Sequence, residues 1–326
     1  MPNVYIRGQT VDVDIEGELR NFDWGSRARW TTDKLIAASP YRYDSTPSFF
    51  VNLDGELAGT WGDSGYYDED WKSGGFVKLL AFLRQETYEE TEDYLLGEYG
   101  WTGDMETLTI KPPRLRIKQP FRPLAESLVT TSHSRYLEAR GIGSRVQELY
   151  GVGYGRQRGF TAIPWRTASG QLANVKYRAT RGKVFFYEKG AHPIRRLVWG
   201  IDVANRLQTK VAALCEAEID GMSWTESTAG DIVGLAAGGV TFTDEQADII
   251  KRSSIERLVL AGDNDKAGRK FNEVVAAKLA GHVELMQADY GEFKDANEQW
   301  RRLGEITKPV KSEMGLIKLK LVRNIT

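Results

Sequence analysis

The chain has 326 residues, more than one typical domain, and its 41% apolar and 11% aromatic content excludes a disordered polymer. Its one cysteine, Cys215, excludes internal disulfides and a cysteine-based zinc site, and no run approaches the roughly 18 apolar residues of a membrane span. The net charge of −1 hides a partition in which residues 1–106 carry −12, residues 107–210 carry +15 and residues 211–326 carry −4.

A basic middle beside an acidic end suits a polyanion lying across one and ending at the other; opposite charges that merely hold the segments together are the plainer alternative. The N-terminus shows no basic-then-apolar leader pattern, so the expected location is the cytoplasm, with no membrane partner. Cys215 lies in an apolar run and reads as a core residue. His133, His192 and His282 are scattered and suggest no shared ligation.

In chain order, residues 11–16 alternate apolar and acidic side chains as a strand does. Pro40 and Pro47 mark a turn that leads into an apolar strand through Phe49 and Phe50, and residues 59–65 read as strand then turn. Gly74 and Gly75 open a helix with Phe76, Leu79, Leu80 and Leu83 on one face, and residues 89–99 give another. Phe49, Phe50, Trp61, Tyr66, Tyr67, Trp71, Phe76 and Phe82 would build this core, each burying roughly 150–250 Å². Residues 107–123, with five basic side chains, four prolines and no acid, read as an extended linker whose charge could also follow a phosphate backbone.

From Ser134 a short helix closed by Gly141 precedes a strand-rich stretch. Alternation there puts Lys176 and Arg178 on one strand face, extended by Arg181 and Lys183 if the chain turns at Gly182; a solvated face is the plainer reading. Beyond residue 211, apolar runs of strand length alternate with helical stretches, the pattern of a mainly parallel sheet whose ligands gather at its carboxyl edge. The runs at Val211–Cys215 and residues 258–261 end in acids: Glu216 and Asp220 after the first, Asp263 and Asp265 after the second. A Gly238-Gly239 turn, the reciprocal capping pattern at Thr243 and Gln246, and the run Lys294-Asp295-Ala296-Asn297-Glu298 complete the stretch.

Glu216, Asp263 and Asp265 at neighbouring strand ends would repel one another and resist ionisation unless a cation neutralised them. Hard oxygen donors favour Mg²⁺ or Mn²⁺, which leave positions for phosphate oxygens and so suit phosphoryl transfer. Asp265 also precedes a helical stretch and could serve as its N-cap instead.

The set Glu216, Asp220, Gly238-Gly239, Asp263-Asn264-Asp265-Lys266-Ala267-Gly268-Arg269 and Lys294–Glu298 resembles a Toprim domain, and the last run resembles primases of the DnaG-like and phage primase-helicase type. By that resemblance Glu216, Asp263 and Asp265 would be catalytic and bind metal, two Mg²⁺ or Mn²⁺ ions, with Asp220 and Asp295 as supporting metal acids. The glycine expected after the glutamate is Ala217 here, a strain only if that position needs positive φ. Lys176, Arg178, Arg181 and Lys183 would contact template or nucleotide phosphates, Arg178 and Lys183 matching best.

The head is similar to the small zinc-binding domain of DnaG-like primases, but Ser39 and Arg42 stand where its first ligands would be, and residues 61–65 offer no thiol or imidazole. No zinc is expected, and packing must hold the domain. Its −12 charge argues against a strong grip on DNA and leaves a protein-contact role open.

The expected architecture is α/β: a zinc-less α+β head over residues 1–106, the linker 107–123, a basic α+β primase-core subdomain over 124–210, a Toprim parallel sheet flanked by helices over 211–304, and a basic tail over 305–326. The resemblance implies a phage or prophage DNA primase in a bacterial host, joining ribonucleoside triphosphates on single-stranded DNA. With no Gly-x-x-x-x-Gly-Lys-Ser/Thr loop in the chain, a separate replicative helicase would be its partner. A Toprim nuclease, and a replication or interaction protein whose catalysis has lapsed, are the alternatives.

Overall fold

A computed structural model describes residues 2–44, 47–66, 71–100, 121–155 and 157–312. The expected linker except for its last three residues, Tyr67, and most of the basic tail lie outside that set. The chain forms two compact units, Met1–Phe121 with Arg181–Phe186, and Arg122–Thr180 with Tyr187–Thr326. The expected basic subdomain and acidic module therefore share one unit, apart from residues 181–186.

In the first unit, β1 (Asn3–Ile6) and β2 (Gln9–Asp12) form an antiparallel hairpin across Arg7 and Gly8, both at positive φ. The expected strand over residues 11–16 stops at Asp12. Asp14 accepts a hydrogen bond from the Gly17 amide and caps α1 (Ile15–Arg20), so local capping overrides the alternation. Then β3 (Arg29–Trp30), β4 (Lys34–Ala37), β5 (Phe49–Asn52), β6 (Trp61–Asp63) and β7 (Ser73–Gly74) form an antiparallel sheet in consecutive order. Helix α2 (Phe76–Arg84) buries Phe76, Leu79 and Leu80, and α3 (Tyr88–Tyr99) starts on a capping box of Thr87 and Glu90.

The head's core is aromatic, with Tyr41 packed against Phe49, Trp61, Trp71 and Phe82 at centroid distances of 4.6–5.9 Å. Packing is only part of what closes it. The Arg42 guanidinium bonds Asp63 through Nε (3.2 Å) and Nη2 (3.0 Å), and Nη2 also reaches Asp44 (3.0 Å) and Ser48. The Ser39 amide donates to Asp44, and the Gly65 amide to Asp63. An arginine between two carboxylates thus closes this corner.

In the second unit, β8 (Thr130–Thr131), α4 (Arg135–Glu138), α5 (Ser144–Leu149), β9 (Gly153–Tyr154), β10 (Phe160–Arg166) and β11 (Leu172–Ala179) build the first part. The strands pair antiparallel in the order β8, β9, β10, β11. The β10–β11 hairpin is buried along nearly its whole length, so it is core rather than a solvated sheet. Strand β12 (Phe185–Tyr187) spans the point where the chain re-enters this unit.

Helix α6 (Ile201–Leu207) leads into β13 (Val211–Cys215), α7 (Glu218–Ser227), β14 (Val233–Ala236), α8 (Asp244–Lys251), β15 (Arg257–Leu260), α9 (Lys266–Leu279), β16 (Glu284–Gln287), α10 (Ala296–Leu303) and β17 (Val310–Lys311). The sheet order is β14-β13-β15-β16-β17, with the first four strands parallel and β17 antiparallel to β16. Strands β13, β14 and β15 are mostly buried Val, Leu and Ala, as a parallel sheet covered by helices requires. Beneath the carboxyl edge a core of Cys215, Trp224, Val259, Ala261 and Tyr290 packs together, with Cys215 fully buried as expected.

Candidate active site: an acidic rim with a lysine counter-ion

Strands β13 and β15 are neighbours, paired through Leu214 and Leu260, so the chain leaves both at one edge and delivers Glu216 beside Asp263. The Glu216 carboxylate reaches the Asp263 backbone, whose amide donates to Oε1 at 3.1 Å. The Glu216 carbonyl accepts from the amides of both Gly238 (3.0 Å) and Gly239 (2.9 Å). Both glycines are at positive φ, which is why this turn is Gly-Gly.

The Asp263 turn is held as firmly. Tyr290 Oη donates to the Ala261 carbonyl, and Gly268 in the first turn of α9 lies so close that a Cβ there would overlap the Asp263 backbone. Gly268 in the Asp-x-Asp-x-Ala-Gly-Arg run thus serves close packing of helix on turn. Ala217 has φ −123° and ψ 155°, ordinary extended backbone, so conformation does not call for a glycine there.

Burial and mutual repulsion set the electrostatics. Glu216, 7% exposed, has its pKa raised to about 8 by burial and then by Asp263. Asp263 is raised to about 6, mainly by burial. Asp220 is pushed up by burial and then by Asp295, although the Asn297 amide bonds its Oδ1 at 3.0 Å. The cation at the rim is Lys294, whose Nζ lies 3.3 Å from Asp263 Oδ2. Burial lowers the Lys294 pKa, but Asp263, Asp295 and Asp265 outweigh that and leave it raised.

Asp265 makes the N-cap that its position before a helix allowed, and Asp295 makes one as well. Asp265 accepts from the Gly268 amide and caps α9, and Asp295 accepts from the Glu298 amide and caps α10. Among the described residues, no three His, Cys, Asp or Glu side chains stand together as a ready-made metal cage. Of the five acids expected from sequence, Asp265, Asp295 and Asp220 each give one oxygen to a backbone amide, and Asp263 faces Lys294. Glu216 and Asp263 still fit a hard divalent ion, being adjacent oxygen donors, largely buried and short of positive charge.

The expected basic face is corrected at Lys176 only. Lys176 is buried, with Nζ 2.9 Å from Glu218 Oε2, and Trp165 Nε1 donates to the other Glu218 oxygen at 2.9 Å. It is committed to the interior and does not face a ligand. Arg178 is half-buried, its Nε donating to Tyr136 Oη at 3.3 Å. Strand β11 ends at Ala179, and Arg181 and Lys183 belong to the first unit, where the Lys183 amide donates to the Tyr41 carbonyl.

Sequence reasoning gave Glu218, Asn297 and Lys294 no role. Asn297 Nδ2 bonds the Arg140 carbonyl (2.8 Å) and Ser223 Oγ (2.9 Å), and Trp300 Nε1 bonds the Gly141 carbonyl (2.7 Å). The Arg-Gly-Ile-Gly loop is thereby fastened to α7 and α10. The signal was present in the Asp-Ala-Asn-Glu run, but an Asn acting across 157 residues leaves no local pattern.

A parallel sheet carrying acids at its carboxyl edge is the arrangement of the Toprim class, and a family described as Toprim-like matches residues 213–300. That stretch is similar to a Toprim-like domain. At the level of the whole chain, solved structures similar to it are of primases. The zinc-binding and RNA polymerase domains of the Aquifex aeolicus primase share 15% identity over 96% of this chain and 83% of that one, with a TM-score of 0.43. The primase fragment of the bacteriophage T7 primase-helicase protein shares 17% over 84% and 94%, at 0.45. The E. coli primase catalytic core shares 14% over 58% and 76%, at 0.46. No curated protein matches the chain.

Proposed function

We propose that the chain is a primase-type nucleotidyltransferase that joins ribonucleoside triphosphates on single-stranded DNA. The reading is carried by Glu216 and Asp263, adjacent at the carboxyl edge of a Toprim-like sheet and too buried to ionise comfortably without a cation. Bound Mg²⁺ or Mn²⁺ would supply the charge that activates a primer 3′ hydroxyl and stabilises departing pyrophosphate.

In this reading Glu216 and Asp263 hold the ion, with Asp265 as the adjoining acid. The caps made by Asp265 and Asp295 fix the starts of α9 and α10. Asp220 orients α10 through the Asn297 amide. Arg178, Arg181 and Lys183 remain the candidate phosphate contacts, and a separate replicative helicase in a phage-infected bacterium the candidate setting. A nuclease is the second reading, favoured by the loss of Lys176 from the basic face, since the same rim could direct water at a phosphodiester.

Incubation of the full chain with Mg²⁺ or Mn²⁺, single-stranded DNA and labelled ribonucleotides tests the proposal. Oligoribonucleotide products support it; shortened DNA assigns a nuclease, and neither product points to a binding protein.

A further inference from the structure

The backbone around Lys294 is fastened from two sides. The Asn264 amide donates to the Lys294 carbonyl at 2.6 Å, and Asn264 Nδ2 bonds the carbonyls of Gly291 (2.8 Å) and Phe293 (3.2 Å). The Lys294 amide donates to Glu298 Oε2 at 2.9 Å, in the first turn of α10. These contacts stitch the turn bearing Asp263 to the loop bearing Lys294. The lysine side chain is nonetheless 62% exposed, and its ammonium reaches Asp263 Oδ2 at 3.3 Å.

An ion pair this exposed contributes little to stability. Such anchoring of the backbone beneath an exposed side chain serves placement of charge instead: one cation held over a rim whose carboxylates repel one another. A divalent ion entering between Glu216 and Asp263 carries twice the charge and would take Asp263 from the ammonium. Repulsion from the ion then turns the ammonium outward on its four-carbon stem, toward any anion arriving with the metal.

We propose that Lys294 is a tethered placeholder cation that neutralises Asp263 before a divalent ion binds, yields that carboxylate to the ion, and then contacts a phosphate of the incoming nucleotide. This rests on the metal-dependent function proposed above.

Calorimetry on the full chain tests it, with Mn²⁺ as one probe and the β,γ-imido analogue of ATP with saturating Mn²⁺ as the other. Lys294→Met should bind Mn²⁺ about two- to five-fold tighter than the unaltered chain, the range an exposed ion pair is worth, and should bind the nucleotide analogue more weakly by a similar factor. Lys294→Arg should stay close to the unaltered chain in both. Unchanged or weaker Mn²⁺ binding in Lys294→Met, or unchanged nucleotide binding, would overturn the inference while leaving the proposed function standing. An unaltered chain that takes up no Mn²⁺ would overturn both.

Discussion

Lys176 and Glu218 form an ion pair buried on both sides, Nζ to Oε2 at 2.9 Å with side chains 5% and 3% exposed. It joins β11 to the first turn of α7, two residues beyond Glu216. Trp165 donates to the second carboxylate oxygen, so the negative charge is met on both oxygens.

Breaking one side of such a pair costs more than removing both. Lys176→Met should lower the unfolding free energy by about 3–5 kcal/mol, because Glu218 is left buried and unpaired. Lys176→Met with Glu218→Leu should recover most of the loss. Urea denaturation of the three proteins checks this, and a double variant less stable than Lys176→Met would refute it.

Arg42 makes the matching prediction for the head. Arg42→Ala strands Asp63 and Asp44, whose side chains are 0% and 5% exposed, and should cost about 3 kcal/mol. Because an arginine closes this corner, a chelator should leave the melting of the head unaltered, as read by the fluorescence of its buried tryptophans.

The acid rim sets a pH dependence. Carboxyl groups held above their ordinary values bind protons more tightly folded than unfolded, so folding is favoured while they are protonated. For Glu216 that contribution is complete below its ordinary 4.5 and is lost as pH rises toward about 8. In a chelator, the melting temperature should therefore fall between about pH 5 and pH 8, and Glu216→Gln should flatten the slope. Added Mg²⁺ should raise melting more at the alkaline end, where the carboxylates are ionised and ready to bind it.

Gly268 tests the packing beneath Asp263. Gly268→Ala forces a methyl group into the Asp263 backbone and should cost about 1–3 kcal/mol while displacing the carboxylate. Ala217→Gly, at a residue with ordinary extended backbone, should leave activity close to unaltered.

Much of the Toprim-like stretch was legible in the sequence because its signals are local. Apolar runs of strand length, a Gly-Gly turn and the Thr243–Gln246 capping box each fold as their own residues dictate. The acids were placed at the correct edge for the same reason. Misplaced features depended on partners far along the chain. Lys176 looked like half of an exposed alternating face, and only its pairing with a glutamate 42 residues on turns it inward. The head was expected to be held by packing alone, and the pairing of Arg42 with Asp63, 21 residues on, left no local signal. Asp265 could be read as a ligand or a cap and it does cap α9, while the cap that Asp295 makes on α10 was not anticipated.

The most direct test of the central claim is the rate of ribonucleotide joining on single-stranded DNA in Mn²⁺ by the unaltered chain, Glu216→Gln and Asp263→Asn. The account predicts oligoribonucleotides from the unaltered chain and a fall of about 100-fold or more in each variant, the scale set by loss of transition-state charge stabilisation. Primer synthesis that survives undiminished in Asp263→Asn would contradict it.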